Sequence, residues 1–274
     1  MSSHQPKLDV LLSPFDADPI RLIELASTAE ELGFDSVWTY DHLTGAMFDR
    51  GSSNDAFTLL GAMAVSTNRV HLGPLVSNIV NRHPVRLALI ANTLQKLSGG
   101  RAVIGLGSGA APNSRFSAEQ VATGVVLGDG PARRSRLIET IDLLRSLWSG
   151  NDEFHGEHYS VSGLAFGLAN PDPPPIIVGA SGPATARLAF EHGDGLNIAN
   201  EKSLDTLHDL IVSERPPSFE VSVHVPISTE DAASFYDQLP EPSPHVDRWV
   251  FAVSGDTDIA ALTNLWDSAT SKLQ

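Results

Sequence analysis

Short apolar runs alternate along the chain with longer segments whose apolar residues recur at the spacing of one helix face. The first run covers residues 8–12, and the segment after it carries its apolar stripe at Leu22, Leu25, Ala26 and Ala29. Asp18 and Pro19 precede the stripe as an N-cap and a first-turn proline, and Gly33 follows it as a helix stop. The pattern predicts a strand followed by a helix, which is the repeating unit of parallel sheets.

The same alternation continues towards the C-terminus. Further strands are predicted at residues 36–40, 70–76, 102–107, 175–180, 195–199, 219–225 and 248–253. The helices predicted between and after them include segments that begin near Pro84, Pro131 and Pro183 and a last one over 259–269. Eight alternating units in 274 residues predict a single-domain α/β fold, a (β/α)8 TIM barrel over residues 1–274. An open doubly wound sheet is the alternative fold.

The connection after the fourth strand, at about residues 108–130, is long for a loop in a barrel. Loops of such length are usually functional, so we expect this one to select the substrate. A hairpin is predicted at residues 154–159, before the fifth strand. Because the carboxyl ends of the strands form the active site in barrels of this kind, residues directly after strands are the candidates for chemistry.

Composition narrows the chemistry and the partners. Lys and Arg number 18 against 33 Asp and Glu, and the net charge of −15 would repel nucleic acids and anionic membrane surfaces. No apolar run approaches the roughly 20 residues that span a bilayer, and we expect a soluble, cytoplasmic protein. The absence of cysteine excludes disulfides and thiol nucleophiles, so redox chemistry would need an organic cofactor or a metal held by His and carboxylates.

Two strand ends carry residues suited to catalysis or ligand binding. Asp41 and His42 follow the second strand, where an imidazole could exchange protons and a carboxylate could orient it. A capping Asp beside a half-exposed His is the structural alternative. Residues 181–183 open a helix directly after the fifth strand, so backbone N–H groups there could bind a phosphate. An ordinary capped helix start is the alternative at that position.

Glycines mark two other strand ends. Gly73 and Pro74 interrupt the third strand and predict a bulge or a twist there. Residues 105–109 contain three glycines, but the stretch lacks the later glycine of a dinucleotide-binding fingerprint and the lysine of a P-loop. Close approach of the backbone to a planar ligand is the better interpretation of this stretch.

Two other classes of site find little support. His155, Glu157 and His158 lie in the predicted hairpin near Asp152, where polar side chains are mostly solvated, so we predict no metal site. The sequence also lacks the Gly-x-Ser-x-Gly elbow that carries the nucleophile of many serine hydrolases.

Taken together, several of these stretches resemble one family. They are similar in order and spacing to the bacterial luciferase-like superfamily at residues 37–43, 72–84, 97–101, 105–109, 175–183 and 194–195. Asp41 and His42 stand where the FMN-using luciferases and monooxygenases commonly carry Arg-His or Glu-His. The chain therefore resembles most the branch that uses the deazaflavin coenzyme F420.

The resemblance implies a flat deazaflavin ring in the barrel mouth and hydride transfer between it and a small organic substrate. It implies a non-prolyl cis peptide bond between Leu75 and Val76 behind the ring. It makes His42 the proton donor or acceptor, with Asp41 contacting the cofactor and positioning His42. Further cofactor contacts are implied for Ser77, Ser108, Gly109 and Asn113 at the ring or its side chain, and for Ala180, Ser181 and Gly182 at the phosphate.

The match also has departures, and two other functions stay open. Sugar-phosphate dehydrogenases of this branch carry a Trp and a Glu where this chain has Ala46 and Ala110, which argues against glucose 6-phosphate as substrate. An FMN-dependent monooxygenase that uses molecular oxygen is the second hypothesis. A flavin- or deazaflavin-binding protein without turnover is the third. The family further implies a homodimer. The expected binding partner is a small-molecule substrate.

Overall fold

The computed structural model describes residues 5–229 and 235–273. Its parallel strands close into a barrel in the order β1-β10-β9-β8-β7-β4-β3-β2. The barrel strands are β1 Lys7–Leu12, β2 Ser36–Asp41, β3 His71–Asn78, β4 Ile104–Gly107, β7 Ile176–Ala180, β8 Gly195–Ile198, β9 Glu220–Pro226 and β10 Arg248–Val253. A separate antiparallel hairpin consists of β5 Phe154–His155 and β6 Ser160–Val161. The predicted (β/α)8 TIM barrel is confirmed, and the open doubly wound sheet is wrong.

Helices surround the barrel and begin largely where the sequence predicts them. Their bounds are α1 Pro19–Leu32, α2 Ala56–Ser66, α3 Pro84–Ser98, α4 Ala118–Ala122, α5 Gly130–Trp148, α6 Pro183–His192, α7 Glu201–Glu214, α8 Phe235–Gln238 and α9 Ile259–Leu273. Asp18 caps α1 by accepting from the N–H of Ile20, and Gly33 ends that helix with a φ of 116°. Side-chain caps and a left-handed glycine thus set these helix limits.

Two segments differ from the sequence-based prediction. The connection after β4 contains a 3-10 turn at Arg115–Ser117 and the short helix α4, neither of which was predicted. Five residues are too few to show a helical apolar stripe, so the pattern carried no signal for α4. β4 also begins later than predicted, because Ala102 forms only an isolated bridge with Leu72.

The amino end of the barrel is filled by side chains. Asp9 is fully buried there and accepts hydrogen bonds from Trp38 Nε1 at 3.0 Å and from Arg248 Nη1 at 2.8 Å. Burial raises the pKa of Asp9 above its usual value, although the positive charge of Arg248 opposes that shift. Above these hydrogen-bonded side chains, an apolar cluster that includes Leu11 and Val250 fills the barrel interior. A ligand can therefore enter only from the carboxyl ends of the strands.

No helix within residues 5–229 and 235–273 is both long enough and apolar enough to cross a membrane.

Candidate active site

The carboxyl ends of the barrel strands surround a cavity of about 1000 Å³. Its wall takes residues from β2, β3, β4, β7, β9 and β10 and from the connection that contains α4. A more open depression of about 570 Å³ lies between α5 and the β5–β6 hairpin and contains none of the predicted site residues. The cavity at the strand ends is therefore the candidate active site.

The end of β3 bulges into this cavity. The Leu75–Val76 peptide bond is cis, as the resemblance implies, and the pairing of β3 with β2 shifts register between Thr39 and Asp41. Glycines of β4 and β7 make room for the Val76 side chain. A Cβ at Gly107 would lie 2.7 Å from Val76 Cγ2, and one at Gly179 would lie 3.0 Å from Val76 Cγ1. Glycines within the fourth and fifth predicted strands therefore accommodate the bulge of the third.

Asp41 is a largely buried residue of the cavity wall and is held by two other residues. Ser77 Oγ donates to its Oδ2 at 2.6 Å, and Arg82 Nη1 forms an ion pair with the same oxygen. Arg82 also bonds Asp55 Oδ2 at 3.0 Å. The hydrogen bonds of Asp41 thus go to Ser77 and Arg82, and the expectation that this carboxylate positions His42 is wrong.

Glu119 takes that position beside His42. Glu119 Oε1 lies 2.9 Å from His42 Nδ1, and its Oε2 accepts from the backbone N–H of Leu43 at 2.9 Å. The Glu119 side chain is 1% exposed and the His42 side chain 20% exposed. Because an ionised carboxylate only accepts, the proton on Nδ1 points to Glu119 and Nε2 of neutral His42 keeps its lone pair. Sequence reasoning missed Glu119, whose only signal was the unusual length of the connection after β4.

Aromatic rings form one side of the cavity around His42. Phe116 stacks on the imidazole at 6.0 Å between centroids, and Phe48 meets it edge-on at 5.8 Å. Phe15 and Tyr40 continue this wall, with their rings stacked at 5.7 Å. The exposed guanidinium of Arg115 covers Phe116 at 4.8 Å from its centroid. This half of the cavity suits an apolar ligand body.

The other half of the cavity is polar and lies near the start of α6. Ala180, Ser181 and Thr185 line it there. Nε2 of Gln120 and Nε of Arg133 are buried, and among the residues that the structure describes they have no hydrogen-bond partner. Both side chains line the cavity, so a polar ligand edge could satisfy these donors.

Most of the residues predicted from the sequence meet at this cavity. It is lined by Asp41, His42, Leu75, Val76, Ser108, Gly109, Ala180 and Ser181. Ser77 is fully buried behind the wall, where it bonds Asp41. Asn113 is exposed in the turn before α4, with a φ of 64°, and Gly182 is the N-cap of α6. These three residues do not line the cavity.

Tyr40 and His224 form a second polar pair at the mouth. Tyr40 Oη lies 2.6 Å from His224 Nε2, and both residues line the cavity. Burial lowers the pKa of His224 from 6.5 to about 4. Nothing in the sequence pattern distinguished His224, because it lies within the apolar run that predicts the seventh barrel strand.

The shifted pKa of His224 predicts a loss of stability in acid. In the unfolded chain His224 takes up a proton near pH 6.5, but in the folded protein only near pH 4. Between these values the unfolded chain holds more protons, so the free energy of unfolding falls as the pH is lowered. His224→Leu should lose this part of the pH dependence, measured by urea unfolding at about pH 7.5 and about pH 5. His155→Leu, at an exposed hairpin position, is the control and should match the wild type in slope.

Within the described ranges, no group of three or more His, Asp and Glu residues is arranged to hold a metal ion.

Comparison with known proteins identifies the family. The model of the luciferase-like monooxygenase family matches residues 3–233. The chain therefore belongs to this family.

Relatives within the family are named for coenzyme F420. An F420-dependent glucose-6-phosphate dehydrogenase of Nakamurella multipartita is 35% identical over 196 residues, which are 71% of this chain and 56% of that protein. An F420-dependent hydroxymycolic acid dehydrogenase of Mycobacterium tuberculosis is 38% identical over 177 residues, 64% of this chain and 48% of that protein. The chain thus spans about half the length of the curated relatives it matches.

A solved structure shares the whole fold. An F420-dependent secondary alcohol dehydrogenase in complex with an F420-acetone adduct superposes with a TM-score of 0.79 and 18% identity, covering 98% of this chain and 99% of that chain. At 18% identity this likeness shows only that the two chains share the barrel fold over nearly their whole lengths.

Proposed function

We propose that the protein is an oxidoreductase that transfers a hydride between coenzyme F420 and a small organic substrate. The observation that carries the proposal is the setting of His42 on the cavity wall, with Nδ1 held by Glu119 and Nε2 making no hydrogen bond to the described residues. An imidazole arranged in this way can take or give one proton at Nε2. The F420-dependent relatives agree with this chemistry.

The cavity residues fit a planar ring that carries a phosphate-bearing chain. A volume of about 1000 Å³ is ample for a cofactor together with a small substrate. The buried, unpaired donors on Gln120 and Arg133 suit carbonyl oxygens at a ring edge. Ser181 and the N–H groups at the start of α6 suit a phosphate, since the helix dipole favours an anion there.

The chain's own residues would orient the reactants and move one proton. When bound, F420 supplies the site that accepts or donates the hydride. Nε2 of His42 takes the proton that an alcohol releases on oxidation, or returns it when a carbonyl is reduced. Glu119 holds the tautomer that leaves this nitrogen free. The aromatic wall excludes water from the substrate side of the cavity.

A binding panel tests the cofactor. We expect F420 to bind purified protein with a dissociation constant in the micromolar range or below, measured by quenching of its fluorescence. FMN and FAD should bind more weakly in the same experiment. Binding of FMN without binding of F420 would favour the FMN-dependent monooxygenase instead.

Glu119→Gln tests the partner of His42. The amide offers one acceptor where the carboxylate offers two, so either His42 Nδ1–H or the Leu43 N–H loses its partner. We expect kcat to fall about 10- to 100-fold through misorientation of the imidazole, with little change in F420 affinity. Steady-state kinetics and fluorescence quenching measure the two quantities. Glu153→Gln, on the exposed surface, is the control, and an unchanged kcat in Glu119→Gln would remove Glu119 from the mechanism.

We also infer that the protein acts in the cytoplasm as a homodimer. Helices α2 and α3 pack against each other and expose Val65 at 67%, Leu89 at 55% and Leu97 at 47%. A second copy would cover this apolar surface. A chain without cysteine is compatible with a reducing compartment. Light scattering on the purified protein measures the oligomeric state, and a monomer at working concentrations would contradict the inference.

A further inference from the structure

Tyr40 and His224 form a hydrogen-bonded pair that the proposed function leaves unused. They lie on β2 and β9, which are separated in the barrel by β1 and β10, so the pair spans part of the mouth. The Tyr40 ring packs against Phe15 at 5.7 Å and Phe48 at 5.6 Å, and these two rings also contact each other at 5.0 Å. Its hydroxyl is thereby directed to His224, at 2.6 Å. This rigid setting suggests a role in recognition.

The distance within this pair indicates which partner donates. Tyr40 Oη and His224 Nε2 lie 2.6 Å apart, which is shorter than an ordinary N–H···O hydrogen bond and suits a hydroxyl donor. The Tyr40 hydroxyl therefore donates, and Nε2 of the neutral imidazole accepts. Tyr40 Oη therefore has only lone pairs left for a ligand.

Both groups keep these neutral forms near neutral pH. Burial lowers the pKa of His224 to about 4, so the ring stays unprotonated. Burial also raises the pKa of Tyr40 above its ordinary value, so the phenol keeps its proton. Tyr40 is therefore the donor and His224 the acceptor throughout the pH range in which an ordinary enzyme works.

We propose that Tyr40 Oη accepts a hydrogen bond from a hydroxyl group of the substrate other than its reacting group. The substrate is then a hydroxylated compound whose apolar body packs against the aromatic wall of the cavity. This inference rests on the proposed F420-dependent function, and it adds the class of substrate. His224 acts through Tyr40 and is a positioning residue.

The shape and charge of the cavity agree with such a substrate. The imidazole of His42 and the ring of Tyr40 are 6.3 Å apart between centroids and both line the cavity, so one substrate can reach both. Phe48 and Phe116 line the same cavity, with their ring centroids 5.8 Å apart. The buried carboxylate of Glu119 is already bonded to His42 and Leu43. An uncharged apolar body with a single donor group fits this wall.

Two probes that differ by one O-methyl group, which removes the donor, test the proposal. These are 4-hydroxyacetophenone, which donates through its phenol, and 4-methoxyacetophenone, which cannot donate. Calorimetry on the protein, run both with and without F420, should show the hydroxy probe binding about tenfold tighter. Tyr40→Phe should abolish this difference while keeping the fold. Phe48→Leu, the matched control in the apolar wall, should weaken both probes alike.

A second variant and a spectroscopic reading address His224. His224→Leu frees the Tyr40 hydroxyl to donate into the cavity, so the methoxy probe should bind more tightly than it does to the wild type. The difference in affinity between the two probes should therefore narrow or reverse. Nitrogen NMR of the wild-type protein should show His224 with its proton on Nδ1, and no ligand is needed for this reading. A proton on Nε2 would overturn the proposal whichever probe binds.

The remaining outcomes separate this proposal from the function on which it rests. Equal affinity for the two probes in the wild type, or a difference that survives in Tyr40→Phe, would overturn the acceptor role of Tyr40. Quenching of F420 fluorescence measures binding of the cofactor in the absence of either probe. F420 binding without probe discrimination would reject only the substrate class, whereas discrimination without F420 binding would reject only the proposed redox function.

Discussion

His42→Ala is expected to lower kcat by about 100- to 10,000-fold, because the variant lacks the group proposed to exchange the proton during hydride transfer. The affinity for F420 should change little, since the imidazole is held by Glu119 and stacked on Phe116 within the aromatic half of the cavity. Steady-state rates with the best substrate from an alcohol and ketone panel measure the first quantity. Fluorescence quenching measures the second.

The control for this variant is His155→Ala, which removes an exposed imidazole from the β5–β6 hairpin, outside the cavity. Its rate and cofactor affinity should equal those of the wild type. If His42→Ala kept full activity, proton transfer would have to run through another group. If the wild type bound F420 but turned over no substrate, the binding protein without turnover would be the better hypothesis.

Gly105→Ala is expected to lower the free energy of unfolding by roughly 1–3 kcal/mol or more. A Cβ at Gly105 would overlap the backbone carbonyl oxygen of Pro74 and lie 3.1 Å from Val76 Cγ1. The oxygen belongs to the backbone of a barrel strand, so it cannot swing away as a flexible side chain would. Guanidinium unfolding of the variant and the wild type measures the difference. The affinity for F420 should fall as well, because Val76, which the new methyl group would displace, lines the cavity.

Gly61→Ala is the control, and we expect it to raise the free energy of unfolding where Gly105→Ala lowers it. Gly61 lies within α2, and a Cβ there would meet only Leu97 Cδ1 at 3.8 Å, an ordinary contact. Alanine in a helix interior stabilises by up to about 1 kcal/mol relative to glycine. A Gly105→Ala variant as stable as Gly61→Ala would show that β3 and β4 can separate at no cost, and it would contradict the tight packing at the bulge.

Local signals were sufficient for most of the elements. Asp18, Pro19 and Gly33 predicted the limits of α1, and the structure shows the cap hydrogen bond and the left-handed glycine that cause them. Strand β10 lies at Arg248–Val253, where the apolar run predicted it. The helix α4 was missed because a segment so short has no periodicity and is held by its contacts with the rest of the site.

The candidate site was predictable in its place but only partly in its contacts. His42 was recognised because it follows a strand and carries a chemistry suited to proton exchange. Asp41 was expected to orient it, as its neighbour in sequence, but adjacency along the chain does not by itself bring two side chains into contact. Asp41 meets Ser77 and Arg82, and the carboxylate on His42 comes from Glu119, which lies 77 positions along the chain.

Local patterns along the chain were enough to predict the alternation of strands and helices, a barrel of eight such units, and the end of that barrel at which chemistry can occur. The folded chain was needed to show which side chains meet there, such as Tyr40 and His224, which are 184 positions apart. Strand and helix formation depend on neighbouring residues, so they leave a signal in the local pattern. The pairing of polar groups, in contrast, depends on how barrel closure brings distant strands together and removes water from between them.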